Sequence, residues 1–148
     1  MSSLAENKKI FFDYEVLETL EAGLALRGWE VKSLKNKRGS LPGARVIIRG
    51  EEAFLVGLNI PVYQPHNQPK DFEEQRTIKL LLTKKEIKYL EGKAKEKRLT
   101  IMPIKLYTKK GKVKLEIGLC KGKKKFEKRE KIKKRETEKD IERLFKRG

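Results

Sequence analysis

From residue 112 onward the chain alternates: Val113, Leu115, Ile117 and Leu119 are apolar, while Lys112, Lys114, Glu116 and Gly118 are not. A period of two belongs to a strand with one buried face. Residues 100–108 form a second such run, and Lys109-Lys110-Gly111 between the two predicts a β-hairpin. Residues 45–49 and 53–58 flank Gly50-Glu51-Glu52 in the same way, and 76–82 is a further apolar run suited to a strand. Residues 15–26 pull in two directions. Their Glu, Leu and Ala content favours a helix. Yet Val16, Leu20, Ala22, Leu24 and Leu26 share one parity, and Gly23 in mid-run weakens a helix, so the pattern favours a strand.

One helix is sharply marked. Thr83-Lys84-Lys85-Glu86 is a capping box, Leu82 and Ile87 are spaced as a hydrophobic staple across it, and Ile87, Leu90 and Ala94 form a buried stripe. A shorter helix is predicted over 30–37, closed by Gly39. Six short strands and two helices in this length predict a mainly β fold, a closed or nearly closed antiparallel barrel. Closure removes exposed strand edges.

Charge changes the picture at the C-terminus. Residues 121–148 hold 14 basic and 6 acidic side chains, and their only large apolar residues are Phe126, Ile132, Ile141, Leu144 and Phe145. So few cannot offset the entropy of ordering the segment alone. The expected organisation is a folded body, 1–120, and a basic tail, 121–148, disordered until it meets a partner. Within the tail, Ile141, Leu144 and Phe145 fall at i, i+3 and i+4 behind Thr137, a potential cap. This predicts a short amphipathic helix that docks on a partner or packs on its own body.

Over the whole chain, 38 Lys and Arg face 21 Asp and Glu, a net charge of +17. That surplus favours a polyanionic partner: RNA, DNA or an anionic membrane. The tail has too few large apolar residues to anchor in a membrane. No apolar run reaches the ~20 residues of a membrane span, and 1–9 has no signal-peptide core. A single cysteine, Cys120, excludes an intrachain disulfide and fits a reducing cytosol, so a cytoplasmic location is expected.

Catalytic chemistry does not assemble. One His and one Cys cannot build a zinc site of the usual four N/S ligands. Residues 118–124 have one residue too few between the glycines for a phosphate loop, and no Ser or Thr follows the Lys. His66 sits in a turn-rich Pro65-His66-Asn67-Gln68-Pro69 loop with no acid–base partner that sequence can locate. The expectation is no enzyme activity, no metal and no cofactor. The densest basic run, residues 121–130, reads as a phosphate-tracking segment, in which Phe126 either stacks on a base or closes the barrel.

Several blocks together resemble the small protein B family, the SsrA-binding proteins. They are Asn7-Lys8-Lys9 with Asp13-Tyr14; Glu21-Ala22-Gly23; Gly28-Trp29-Glu30-Val31-Lys32-Ser33-Leu34; Arg76 with Lys79-Leu80-Leu81-Leu82; Leu106-Tyr107; Gly122-Lys123-Lys124; and Lys128-Arg129-Glu130. The family pattern is broken at Phe11-Phe12, where Arg-His is usual, and at Ile78, where Arg is usual.

The resemblance implies an oligonucleotide-binding-fold barrel, with 15–26 a strand and helices outside. It also implies an adaptor that grips the tRNA-like domain of transfer-messenger RNA and carries it to stalled ribosomes. Its RNA-binding positions would be Asn7, Lys8, Glu21, Glu30, Lys32, Arg76, Lys79 and Leu81, with Lys121, Lys123, Lys124 and Lys125. Its tail, through Glu127, Lys128, Arg129, Lys133, Lys134, Arg135, Ile141, Leu144 and Phe145, would enter the small-subunit decoding centre and the empty mRNA channel. Some of these have a plainer alternative, and the basic run of the tail also reads as a solvated, merely solubilising segment. Glu21 is either an acceptor for a base or ribose or a strand-face carboxylate paired with a lysine. Leu81 is either contact or core, and Trp29 reads as barrel-end packing rather than a stacking platform. The competing reading for the whole chain is a ribosomal or other structural RNA-binding protein with a similar barrel.

Overall fold

The computed structural model describes residues 2–62, 68–70, 72, 73 and 75–123. His66 and the expected tail contacts (Lys124, Lys125, Glu127, Lys128, Arg129, Lys133, Lys134, Arg135, Ile141, Leu144 and Phe145) lie outside the described residues, as does Phe126.

Among the described residues, seven strands form one antiparallel sheet: β1 (Ser2–Glu6), β2 (Tyr14–Leu24), β3 (Arg45–Arg49), β4 (Glu52–Val56), β5 (Ile78–Leu81), β6 (Thr100–Lys109) and β7 (Lys112–Gly122). Their spatial order is β1-β6-β7-β2-β5-β4-β3. The sheet curls until β3 lies against β6, without a hydrogen-bonded ladder between them. The barrel is therefore closed at that seam by packing. β7 carries its ladder to Gly122 opposite Tyr14.

Residues 14–24 form the long strand that alternation favours, but with a β-bulge between Val16 and Glu18. The extra residue, Leu17, reverses the alternation. Leu20, Ala22 and Leu24 pack in the barrel core, whereas Val16 joins Ile10, Ile104 and Cys120 in a small cluster apart from it. The shared parity of Val16 and Leu20 therefore does not put them on one face. A four-residue helix, α1 (Ile10–Asp13), seats Ile10 in this second cluster. Burial there pushes the Cys120 thiol up to about 11.

Local turn chemistry explains the hairpins. Lys109 pairs with Lys112, so Lys110-Gly111 is a two-residue turn, and both residues take positive φ. Arg49 pairs with Glu52, which leaves Gly50-Glu51 as the β3–β4 turn, with positive φ at Gly50.

Helix α3 (Lys84–Lys97) is capped as its sequence predicts. The Glu86 amide donates to Thr83 Oγ1 at 3.1 Å, and the Thr83 amide donates to Glu86 Oε1 at 2.9 Å. Ile87 and Leu90 are buried, and Ala94 packs behind them. Helix α2 (Gly28–Lys35) starts two residues earlier than expected. It also ends without Gly39: Asn36 is the cap residue, and Lys37 takes the left-handed conformation. Gly39 is needed for space, because a Cβ there would lie 2.4 Å from Leu34 Cδ2.

The start of α2 is set by Glu30, whose carboxylate accepts the Arg27 amide at 2.6 Å. The same carboxylate holds Arg76 by a two-pronged pair, Nε to Oε2 at 2.8 Å and Nη2 to Oε1 at 2.7 Å. Arg76 also donates to the carbonyls of Ala25 at 2.9 Å and Thr77 at 3.1 Å. The Glu30 side chain is fully buried and that of Arg76 is 15% exposed. Parallel N–H···O bonds to a carboxylate are strong and geometrically specific. Removing one member of a buried pair leaves the other charge uncompensated, at a cost of about 3–5 kcal/mol.

Glu30→Ala is accordingly expected to lower the unfolding free energy in urea by about 3–5 kcal/mol. Replacing both residues with apolar side chains (Glu30→Met with Arg76→Leu) should recover part of that loss. A single-mutant cost under ~1 kcal/mol, the level of an exposed pair, would contradict a buried clamp.

Candidate nucleic-acid interface

Strand register puts distant residues side by side on the outer face of the barrel. One row runs Glu6, Lys105, Glu116 and Glu21 across β1, β6, β7 and β2. The next runs Ser3, Tyr107, Lys114, Gly23 and Leu81, reaching β5. Asn7, Lys8 and Phe11 extend the first row, lining with Glu6, Ile104, Lys105 and Glu116 a cleft of about 230 Å³. Asn7 is largely buried and anchors the bend: its amide donates to the Ile104 carbonyl at 2.9 Å, and its own carbonyl accepts Ile10 N–H at 3.3 Å. Lys8 is exposed at the rim.

Glu21 sits among cations. Tyr107 donates its hydroxyl to Glu21 Oε2 at 2.5 Å, and Lys109 Nζ lies 3.4 Å from the same oxygen. The Tyr107 hydroxyl is the largest influence holding the Glu21 carboxyl below its usual range. Partial burial opposes it, and Lys109 and Lys114 add to it. Tyr107 itself is shifted upward, by burial first and by its carboxylate acceptor second, so it stays a donor at neutral pH. The lysine-paired reading of Glu21 is correct for Oε2. Oε1 accepts no hydrogen bond from any described residue, and the side chain as a whole is partly exposed.

Leu81 is exposed, at 56%. That excludes the core alternative: Leu80 points inward, and Leu81 lies over Gly23, whose missing Cβ would sit 3.2 Å from Leu81 Cβ. Leu81, Gly23, Leu24, Leu26 and Val31 line a groove of about 290 Å³ with Lys112 and Lys114 on its far wall. Lys79 stands two residues along β5, 3.6 Å from Glu52. Lys32 is exposed on α2, and Lys35 of the same helix donates to the Gly111 carbonyl at 2.7 Å, fixing α2 to the β6–β7 turn. Trp29 packs on the core and against Phe72, with ring centroids 5.2 Å apart.

Two expected contact residues stand apart. Glu30 has no exposed side-chain surface, and the Arg76 guanidinium is engaged by Glu30 and two carbonyls. Direct contact is not open to Glu30 here, because it is buried inside its own ion pair. Lys121 pairs opposite Glu15. Lys123 fastens the end of β7 to α1, donating from its amide to the Asp13 carbonyl at 2.9 Å and from Nζ to the Phe11 carbonyl at 2.8 Å. Lys105, Tyr107 and Lys114 belong to this surface, yet the sequence reading did not count them among its contact positions, although Tyr107 stands in one of its motif blocks. The alternation in 112–119 marks Lys114 as outward, but only the β2–β7 register brings it beside Gly23 and Glu21.

A depressed carboxylate contributes stability above its unfolded-state pKa and loses it as pH falls through the folded value. Tyr107→Phe is expected to move the Glu21 carboxyl upward, as read by carbon-detected NMR titration, and to shrink that acid-side loss. An unchanged Glu21 titration would mean that the lysines alone hold it.

Comparisons with known proteins bear on what this surface belongs to. The family model described as SmpB protein matches residues 4–147. An SsrA-binding protein of Mycoplasma mycoides is 49% identical over 135 residues, covering 91% of this chain and 91% of that protein. The SsrA-binding protein of Thermosipho africanus is 47% identical over 149 residues, covering 100% of this chain and 99% of its own. Among solved structures, a chain from "tmRNA-SmpB: a journey to the center of the bacterial ribosome" superposes with a TM-score of 0.66 at 40% identity, over 81% of this chain and 84% of that one. A match that runs almost end to end in sequence, and across most of the barrel in space, establishes that this chain belongs to the SmpB family.

Proposed function

We propose that this chain is an RNA-binding adaptor, without catalysis of its own, that holds the tRNA-like domain of transfer-messenger RNA (SsrA) and delivers it to stalled ribosomes in trans-translation. The observation that carries the reading is the single outer face shared by Asn7, Lys8, Glu21 and Leu81, which are scattered over residues 7–81 of the chain. Membership of a family whose relatives are named SsrA-binding proteins supports the choice of RNA.

A folded RNA is recognised by shape and by contacts at fixed separations. Lys8, Lys32 and Lys79 supply phosphate contacts. Glu21 accepts from a base or ribose through Oε1, adding specificity rather than affinity. Leu81 packs against a base or sugar at the mouth of the groove. Glu30 and Arg76 act by holding α2 and β5 in place. The body ends near residues 121–123, and Lys121, Lys123, Lys124 and Lys125 begin a basic path along the RNA. Beyond it, Glu127, Lys128, Arg129, Lys133, Lys134, Arg135, Ile141, Leu144 and Phe145 address the vacant decoding centre and mRNA channel. The work is cytoplasmic, where the ribosomes are.

Body and tail should then separate in experiment. Lys32→Ala with Lys79→Ala is expected to weaken transfer-messenger RNA binding by roughly 1–3 kcal/mol. Lys128→Ala with Arg129→Ala should leave affinity within about threefold, under ~0.7 kcal/mol, yet abolish tagging on stalled ribosomes. Equal losses of RNA affinity in the two double mutants would refute the division.

A further inference from the structure

The outer face of β3, β4 and β5 carries a second surface that meets the recognition face at Lys79. Register places Ile47 opposite Phe54 and Phe54 opposite Lys79, and puts Arg45 opposite Val56 and Arg49 opposite Glu52. Val46 and Ile48 turn into the core, so Arg45, Ile47 and Arg49 face out. Ile47, Phe54 and Val56 remain half-buried, and with Arg49 and Thr77 they line a shallow cleft of about 320 Å³. Arg45 and Arg49 are exposed, and neither side chain has an ion pair or hydrogen bond to a described residue.

We propose that this face is a binding platform for an unpaired stretch of RNA, with one base stacked on Phe54 and the backbone held by Arg45 and Arg49. An aromatic ring between aliphatic neighbours offers a π-face to any base, and unpaired cations on the rim supply charge for phosphates. The two arginines are four residues apart on one strand, about 13 Å at ~3.3 Å per residue, enough to bracket more than one nucleotide. A partner protein's apolar side chain would also fit the cleft, but it would leave both arginines without counter-charge. Lys79, on β5 between Phe54 and Leu81, makes the platform continuous with the recognition face, so a strand leaving a folded RNA has a path onto it. The inference does not depend on which RNA the chain carries.

The test uses the full chain and a short unstructured oligouridylate with one central 2-aminopurine, whose fluorescence falls when the base stacks. Wild-type protein should quench it. Phe54→Leu, which keeps an apolar side chain but removes the ring, should abolish the quench and weaken binding about tenfold. Phe54→Tyr should keep both, and thermal melting of each variant separates a lost ring from a lost fold. Arg45→Gln with Arg49→Gln should lower the slope of log affinity against log salt by roughly 1.4, at about 0.7 per phosphate contact on a single strand. If folded Phe54→Leu quenches and binds like wild type, or the arginine variant leaves the slope unchanged, the strand is held elsewhere and the proposal is wrong. Should Phe54→Leu not fold, loss of the quench in Phe54→Tyr, or an unchanged arginine slope, overturns it equally.

Discussion

The ion pair between Glu30 and Arg76 sits beside the shortest hydrogen-bonded ladder of the barrel. β5 joins the β1-β6-β7-β2 half of the sheet to the β4-β3 half, and its ladder with β2 consists of only Gly23 opposite Leu81 and Leu24 opposite Leu80. Two pairs are little to hold two halves of a barrel in register. The chain extends the junction by other means. The Ala25 amide donates to the Lys79 carbonyl at 3.0 Å, and Arg76, just ahead of β5, donates to the Ala25 carbonyl while gripping Glu30. One carboxylate thereby caps α2, neutralises a buried guanidinium and closes the gap between β2 and β5. Desolvating both charges is costly, and the two-pronged geometry with every prong satisfied is what offsets it.

The proposed recognition face lies directly over this junction. Leu81 and Gly23 form one of the two ladder pairs, the groove beside them reaches Val31 of α2, and Lys79 follows on the same strand. The positions proposed to meet a folded RNA are therefore held by the clamp although the clamp does not touch them. The face is not uniformly basic. Glu6, Glu116 and Glu21 alternate with Lys105, Lys109 and Lys114, so non-specific attraction is tempered where shape and hydrogen bonding must select. The Tyr107 hydroxyl and Lys109 both engage Oε2 of Glu21, which leaves Oε1 without a hydrogen bond from the described residues.

Much of the barrel was legible because its signals are local. The alternation of 112–119, the Lys110-Gly111 turn and the Thr83–Glu86 capping box each depend on residues a few positions apart. What was not legible depends on contacts made only after folding. The bulge at Leu17 turns Val16 away from Leu20, and nothing in the local pattern announces it. β1 is short and polar, and exists through pairing with β6. Gly39 reads as a helix terminator, yet its service is to admit Leu34. The candidate site was legible only as a set of motif positions. Its composition was not, because Tyr107 and Lys114 join Glu21 only through the β2–β7–β6 register, and because motif position alone cannot tell a contact from the buried pair that supports it.

That distinction is open to lysine footprinting of the full chain, free and bound to transfer-messenger RNA, by amine acylation and mass spectrometry. The account predicts that Lys8, Lys32, Lys79 and Lys114 lose reactivity together on binding. Lys85, Lys88 and Lys95, exposed on α3, should react as before. Protection confined to the lysines beyond residue 121, with the barrel lysines unchanged, would contradict it.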